Sequence, residues 1–180
     1  LPAEILSEIF AIVQEYLKVK KIEDPLTPPF PALQKWLPIT HVSQRWRQVA
    51  LSCSQLWRDI DTDDLPGRAI PTFLERSGET GLLVNFGDRW MLDDDPTSVL
   101  AEILAQNSRI QRLTVTGDLS LVHILPYFTY RPAPKLKELF LDGQEADIPD
   151  DIYQGITPQL ENLSISGCRF NPDAPLSSYP

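Results

Sequence analysis

The chain has 180 residues, 42% of them hydrophobic and 23% charged, so it can bury one core or two small ones and is not expected to be disordered throughout. Its formal charge of -9 repels a phosphate backbone, and no run of Lys or Arg reverses this locally, so nucleic acid is not expected as a partner. No apolar run approaches the ~20 residues that cross a bilayer, and the N-terminus lacks the basic-then-apolar layout of a secretory leader, so no membrane role is expected either.

Residues 1–17 read as a helix. Leu1, Ile5, Ile9 and Val13 recur in steps of four, while Leu6, Phe10 and Leu17 mark a second apolar face beside them. Pro2 suits a first turn, where its missing N–H would be unpaired anyway. An apolar surface this broad exceeds what one small core uses, so one side is expected to be covered by another protein. Residues 18–31 then read as a loop, with Lys18, Lys20 and Lys21 followed by Pro25, Pro28, Pro29 and Pro31. A second helical segment places Ile39, Val42, Trp46, Val49 and Cys53 on one stripe, and Leu56 and Trp57 close it.

Beyond residue 66 or so, short helices alternate with short strands. Leu82, Val84 and Phe86 alternate as a strand does, and Asp95-Pro96 opens a helix that buries Val99, Leu100, Ile103 and Leu104, with Asp95 as its cap. Three segments then align without gaps: Ile110-x-x-Leu113-x-Val115-x-Gly117, Leu136-x-x-Leu139-x-Leu141-x-Gly143 and Leu160-x-x-Leu163-x-Ile165-x-Gly167. Their offsets, 26 and 24 residues, lie within the range of leucine-rich repeats. The third continues through Cys168 and Phe170, completing the repeat pattern; the second offers Gln144 and Ala146, and the first Asp118 and Ser120. Each copy is expected to add one strand to a parallel sheet. Leu139, Leu163 and Ile165 should then be inaccessible, with Phe140 and Ser164 open to solvent, and a one-residue slip would exchange the two sets.

Three ordered segments carry a resemblance. Leu1-Pro2-Ala3-Glu4-Ile5-Leu6-Ser7-Glu8-Ile9-Phe10, then His41-Val42-Ser43-Gln44-Arg45-Trp46-Arg47-Gln48-Val49-Ala50, then Leu56-Trp57-Arg58-Asp59-Ile60 resemble the F-box family. More narrowly the chain looks like the F-box-like leucine-rich-repeat proteins abundant in mushroom-forming fungi, which often carry a run similar to Glu75-Arg76-Ser77-Gly78 before a strand. The resemblance implies a three-helix module that packs on a Skp-type adaptor, and through it on cullin and RING subunits. By match to the family's motif, Leu1, Pro2, Ile5, Ile9, Phe10, Val42 and Trp46 face the adaptor, and Trp57 closes the module against the repeats. The chain departs from the family at Ser43, where many members have Cys, and in the insertion from Lys18 to Lys35.

The expected fold is therefore mixed α+β. An F-box-like domain at 1–60 precedes a leucine-rich-repeat-like domain at 61–180, an α/β solenoid with a curved parallel sheet. The side chains between the repeat leucines, among them Arg112, Thr114, Glu138, Phe140, Asn162 and Ser164, would form the concave face that holds a protein target. No catalytic group, metal or cofactor is implied. His41 and His123 have no ligand-spaced neighbours, Asp93, Asp94 and Asp95 lack an EF-hand spacing, and no P-loop, GxSxG or HExxH occurs. Cys168 falls on a repeat position that predicts a buried thiol bonded to loop backbone, and Cys53 on an apolar stripe predicts packing. With no disulfide framework or zinc spacing, these two cysteines suggest a reducing compartment, cytosol or nucleus.

The function this implies is a non-catalytic substrate receptor of a ubiquitin ligase. Its competitor is a scaffold that binds the adaptor and delivers nothing to ubiquitin; partner turnover after deletion of residues 1–60 separates the two. A small hydrolase using Cys168, or a Ser with His123, is the remote enzyme alternative, and activity-based labelling would reveal it. The missing initiator Met and the Ser-Ser-Tyr-Pro end suggest an excised piece.

Overall fold

In the computed structural model the described residues are 1–23, 37–87, 96–128, 131–144, 146–150, 152–155, 157–169 and 171. The expected cap at Asp95, the loop aspartates Asp93 and Asp94, the prolines of 25–31, the insertion up to Lys35 and Phe170 lie outside them. Helix α1 (Ala3–Glu23) runs past the predicted end at residue 17, so Lys18, Lys20 and Lys21 are helical and not loop. Lys, Glu and Ile are all compatible with a helix, and nothing before Pro25 forbids it. The second predicted helix is broken in two. Leu37–His41 forms a 3₁₀ turn, closed by the Thr40 hydroxyl donating to the Leu37 carbonyl at 2.7 Å. Helix α2 (Gln44–Ser52) starts afresh, its cap Ser43 accepting a hydrogen bond from the Trp46 N–H. A second 3₁₀ turn, Ser54–Trp57, follows.

The chain then enters a sheet whose strands are all parallel and lie in chain order: β1 (Asp59–Asp61), β2 (Leu82–Phe86), β3 (Ile110–Thr116), β4 (Glu138–Asp142) and β5 (Asn162–Ser166). Helices α3 (Ile70–Ser77), α4 (Pro96–Leu104) and α5 (Asp118–Phe128) occupy the first three crossovers, and a 3₁₀ turn, Ile152–Gly155, lies in the fourth. Strand order without a reversal offers no switch-point crevice of the kind that binds nucleotides in doubly wound sheets.

Burial along the strands is one-sided. Leu82, Val84, Phe86, Ile110, Leu113, Val115, Leu139 and Leu141 are buried, whereas Leu83, Asn85, Arg112, Thr114, Glu138, Phe140 and Asp142 are partly or fully exposed. Among the described residues the connecting helices therefore pack on one face and leave the other open. Val99, Leu100, Ile103 and Leu104 of α4 are buried as expected.

The three aligned segments stack in the register their sequences imply. Leu113 pairs with Leu139 and Leu139 with Leu163; Val115, Leu141 and Ile165 form the next row. The exposure forecast holds for Leu139 and Ser164 and fails elsewhere. Leu163 is 38% exposed and Ile165 half-buried, because β5 is the last strand and no described neighbour covers its inner face. Phe140 is half-buried rather than open. The glycines that end the first two segments continue the ladder, with the Gly117 N–H donating to the Asp142 carbonyl and the Gly143 N–H to the Ser166 carbonyl.

Gly167 has φ +67, and a Cβ there would collide with the Gly143 carbonyl oxygen. Gly167→Ala is expected to lower stability by about 1–3 kcal/mol in a denaturant titration.

The sheet is joined to the N-terminal helices. β1 begins at Asp59, inside the segment that the sequence assigns to the first domain, and one cluster of buried apolar side chains runs from Leu6 and Phe10 through Trp57 and Phe73 to the strands. Trp57 sits at the junction. Its indole N–H donates to the Ala50 carbonyl at 2.9 Å, its ring meets Phe73 edge-on at 5.0 Å, and the Arg76 guanidinium lies 5.1 Å over it.

Candidate functional site

Helix α1 has two apolar faces with opposite fates. Leu6 and Phe10 are buried, and the Gln14 side chain, itself buried, donates to the Leu56 carbonyl at 3.0 Å. On the other side Leu1, Ile5, Ile9, Ile12 and Tyr16 are exposed, Leu1 by 71% and Ile12 by 68%. The Arg45 guanidinium donates to the Leu1 carbonyl at 2.6 Å and ties the start of α1 to α2, just beyond exposed Val42.

Of the residues that the motif assigns to an adaptor surface, Leu1, Pro2, Ile5, Ile9 and Val42 are exposed. Phe10 is turned fully inward, and Trp46 is half-buried against it, ring centroids 5.2 Å apart; together they hold α1 on α2. Ile12 and Tyr16 belong to that face and were not assigned to it from the sequence. Steps of four drift about 40° per step around a helix of 3.6 residues per turn, so the Leu1-Ile5-Ile9 row extended to Val13 rotates into the half-buried flank. The 4-3-4 spacing Ile5-Ile9-Ile12-Tyr16 keeps to one side, and that signal is present in the sequence.

The second open surface is the uncovered face of the sheet. Its rows run straight across the strands: Asp59, Leu83, Arg112, Glu138 and Asn162 in one, Asp61, Asn85, Thr114, Phe140 and Ser164 in the next. All six residues predicted to contact a target thus share one face. Asp59, Asp61, Leu83 and Asn85 extend it toward the N-terminal helices; β1 is only three residues long, too short for an alternation to be visible.

Arg112 and Glu138 form a two-pronged ion pair in the centre, Nε to Oε2 at 2.6 Å and Nη2 to Oε1 at 3.0 Å. The hydrogen bond from Arg112 holds the Glu138 carboxyl below the usual carboxylate range, against a smaller opposing effect of burial. A lowered folded-state pKa means that stabilisation from this pair is present above the unfolded-state value and is lost as pH falls through the folded one. The Glu138 carboxyl resonance should therefore titrate with a midpoint below that of a free glutamate, and Arg112→Met should move it back up. An unmoved midpoint in that variant would remove the pair as the cause.

The Cys168 thiol is half-buried and donates to the Ser166 carbonyl at 3.3 Å, so its acceptor is the last residue of β5 rather than loop backbone, and it is less buried than predicted. His123 is exposed on α5. Cys53 is free and packs partly buried against the core. No helix among the described residues is long and apolar enough to cross a membrane, and no group of three or more His, Cys, Asp or Glu among them could hold a metal ion. No family model, curated protein or solved structure was found to match this chain.

Proposed function

We propose that the chain is the substrate-receptor subunit of a Skp–cullin–F-box ubiquitin ligase, docking on the Skp-type adaptor through α1 and Val42 and holding a protein target on the open sheet face. The observation that carries this reading is the exposed apolar row Leu1, Ile5, Ile9, Ile12 and Tyr16 on a helix whose opposite side is already packed. A soluble protein rarely leaves so continuous an apolar row bare, and burying it against a partner releases water from each side chain. The row lies in the segment whose sequence resembles the F-box. Phe10, Trp46 and Trp57 serve the docking surface indirectly, by fixing α1 on α2 and both on the sheet.

The contribution to chemistry is positional. A receptor that bridges adaptor and target raises the effective concentration of a target lysine near a ubiquitin thioester held by another subunit, and needs no acid, base or nucleophile of its own. The test is co-purification of the chain with a Skp-type adaptor, followed by turnover of any captured target with and without residues 1–60. Retention of the adaptor together with a target stabilised by the deletion is the expected result; failure to retain the adaptor would overturn the reading.

A further inference from the structure

Strand β5 is an outer edge of the sheet, and its far side repeats the form of the sides that β3 and β4 turn to their next neighbours. The apolar rows Leu113-Leu139-Leu163 and Val115-Leu141-Ile165 end here, and Leu163 is exposed where Leu113 and Leu139 are fully buried. Hydrogen bonding gives the edge a direction. The Asn162 N–H donates back to the Lys137 carbonyl and the Ser166 carbonyl accepts from the Gly143 N–H, so both residues face β4. Alternation along the strand then turns the backbone groups of Leu163 and Ile165 outward, and the trans peptide after Ser166 turns the Gly167 N–H the same way. Among the described residues no hydrogen bond uses these outward groups. Sheets commonly blunt such an edge with Lys, Pro or a bulge, but Asn162-Leu163-Ser164-Ile165-Ser166 carries no charge and no proline, and its pairing with β4 has no register shift.

We propose that β5 is a strand-addition site that takes an extended segment of another protein as a sixth, parallel strand, its aliphatic side chains at alternate positions stacking on Leu163 and Ile165. The sheet itself argues for that occupant. β3 accepts Leu136-x-x-Leu139-x-Leu141-x-Gly143, and β4 accepts Leu160-x-x-Leu163-x-Ile165-x-Gly167, both parallel and in unbroken register. Leu160, Leu163 and Ile165 repeat the apolar positions that β4 offers to β5, so the same pattern fits the next place in the stack. Main-chain bonds supply affinity in such pairing, and alternate side chains supply selectivity. A second copy of the chain is a poorer occupant, because each copy has a formal charge of -9 and like charge opposes association. A short segment without net charge meets no such repulsion. The site lies on the sheet's edge and is independent of adaptor docking.

The full chain would be titrated with a fluorescein-labelled, end-capped peptide that copies the β4 segment, residues 135–143, and has no net charge. Two altered peptides serve as controls. One keeps the composition but places its leucines side by side, which destroys the alternation. The other is N-methylated at its Phe and Asp amides, which in β4 face the preceding strand. The expected result is binding of the unaltered peptide, binding at least about tenfold weaker for both controls, and slowed amide exchange at Leu163, Ile165 and Gly167. Leu163→Lys should weaken binding about tenfold or more, and Tyr127→Lys, on exposed α5 surface, less than about twofold, with circular dichroism verifying the fold of each. The peptide series and the exchange on wild type decide the matter even if Leu163→Lys fails to fold. Equal binding of the three peptides, no binding of the unaltered one, or slowed exchange away from β5 would overturn the proposal. So would a chain that sediments as a dimer and becomes monomeric on Leu163→Lys, because a second copy would then hold the edge.

Discussion

Replacing Trp57 with Ala should destabilise the chain by about 3–5 kcal/mol, the range for truncating a large aromatic in a packed core. The side chain is 4% exposed and does three things at once. It fills the space between the 3₁₀ turn and α3 against Phe73, satisfies the Ala50 carbonyl near the end of α2, and lies under the Arg76 guanidinium. Truncation leaves a cavity at the junction between the N-terminal helices and the sheet, and leaves a carbonyl without its donor. Trp57→Phe should recover most of the packing but not the hydrogen bond. A denaturant midpoint for Trp57→Ala within about 1 kcal/mol of wild type would mean that the helices and the sheet are not energetically joined through this residue.

Arg109→Met should cost about 2–4 kcal/mol, for a different reason. Arg109 is buried at the start of β3, and its guanidinium donates to the Leu74 carbonyl at 3.1 Å, the Thr80 carbonyl at 2.9 Å, the Ser77 hydroxyl at 3.0 Å and the Gln106 side-chain oxygen at 2.9 Å. Burial pushes its pKa down, and the charge of Glu79 opposes that. One acceptor, the Leu74 carbonyl, lies in the last turn of α3, where a helix has orphan acceptors and favours a cation, and the Thr80 carbonyl follows just beyond the helix. Methionine fills similar volume and supplies no donor, so the guanidinium's bonds are lost, although the Leu74 carbonyl keeps the Ser77 hydroxyl as a donor. Lysine should rescue poorly, because one ammonium cannot span acceptors that a planar guanidinium reaches from several sides. A Met variant as stable as wild type would show that water or a neighbouring side chain takes over these bonds at little cost.

Arg109 also marks a limit of what the sequence discloses. Its position before Ile110 reads as the hydrophilic edge of a repeat, and nothing in the spacing signals that it reaches back more than thirty residues to clamp α3. Features with a period were legible. The one-sided strands β2, β3 and β4 and the buried face of α4 follow from alternation and helical spacing, and the aligned Leu-x-x-Leu-x-Leu segments imply the register of three strands. Features without a period were not. β1 is too short to alternate, and the break at Ser43 depends on a side chain competing for one backbone N–H. The exposed row on α1 was partly legible: an excess of apolar positions was evident, but steps of four misassigned its second half, where Ile12 and Tyr16 carry it. Phe10 shows the converse. Motif position alone places it at a partner surface, whereas its size and its angle on the helix place it under Trp46.

The most direct test of adaptor docking is a calorimetric titration of purified Skp-type adaptor into the chain and into its Ile5→Asp/Ile9→Asp variant. Both side chains are partly exposed, so the variant should keep its helical circular dichroism and its melting midpoint in the absence of adaptor. Wild type should bind one adaptor per chain, and its melting midpoint should rise with adaptor concentration, by about 2.7 kcal/mol of added stability at a hundredfold excess over the dissociation constant. The folded variant should bind at least about a hundredfold more weakly, since two carboxylates would be forced into an apolar contact. Equal affinity of the two proteins, or a wild-type chain whose melting midpoint does not move with adaptor, would contradict docking through the exposed face of α1.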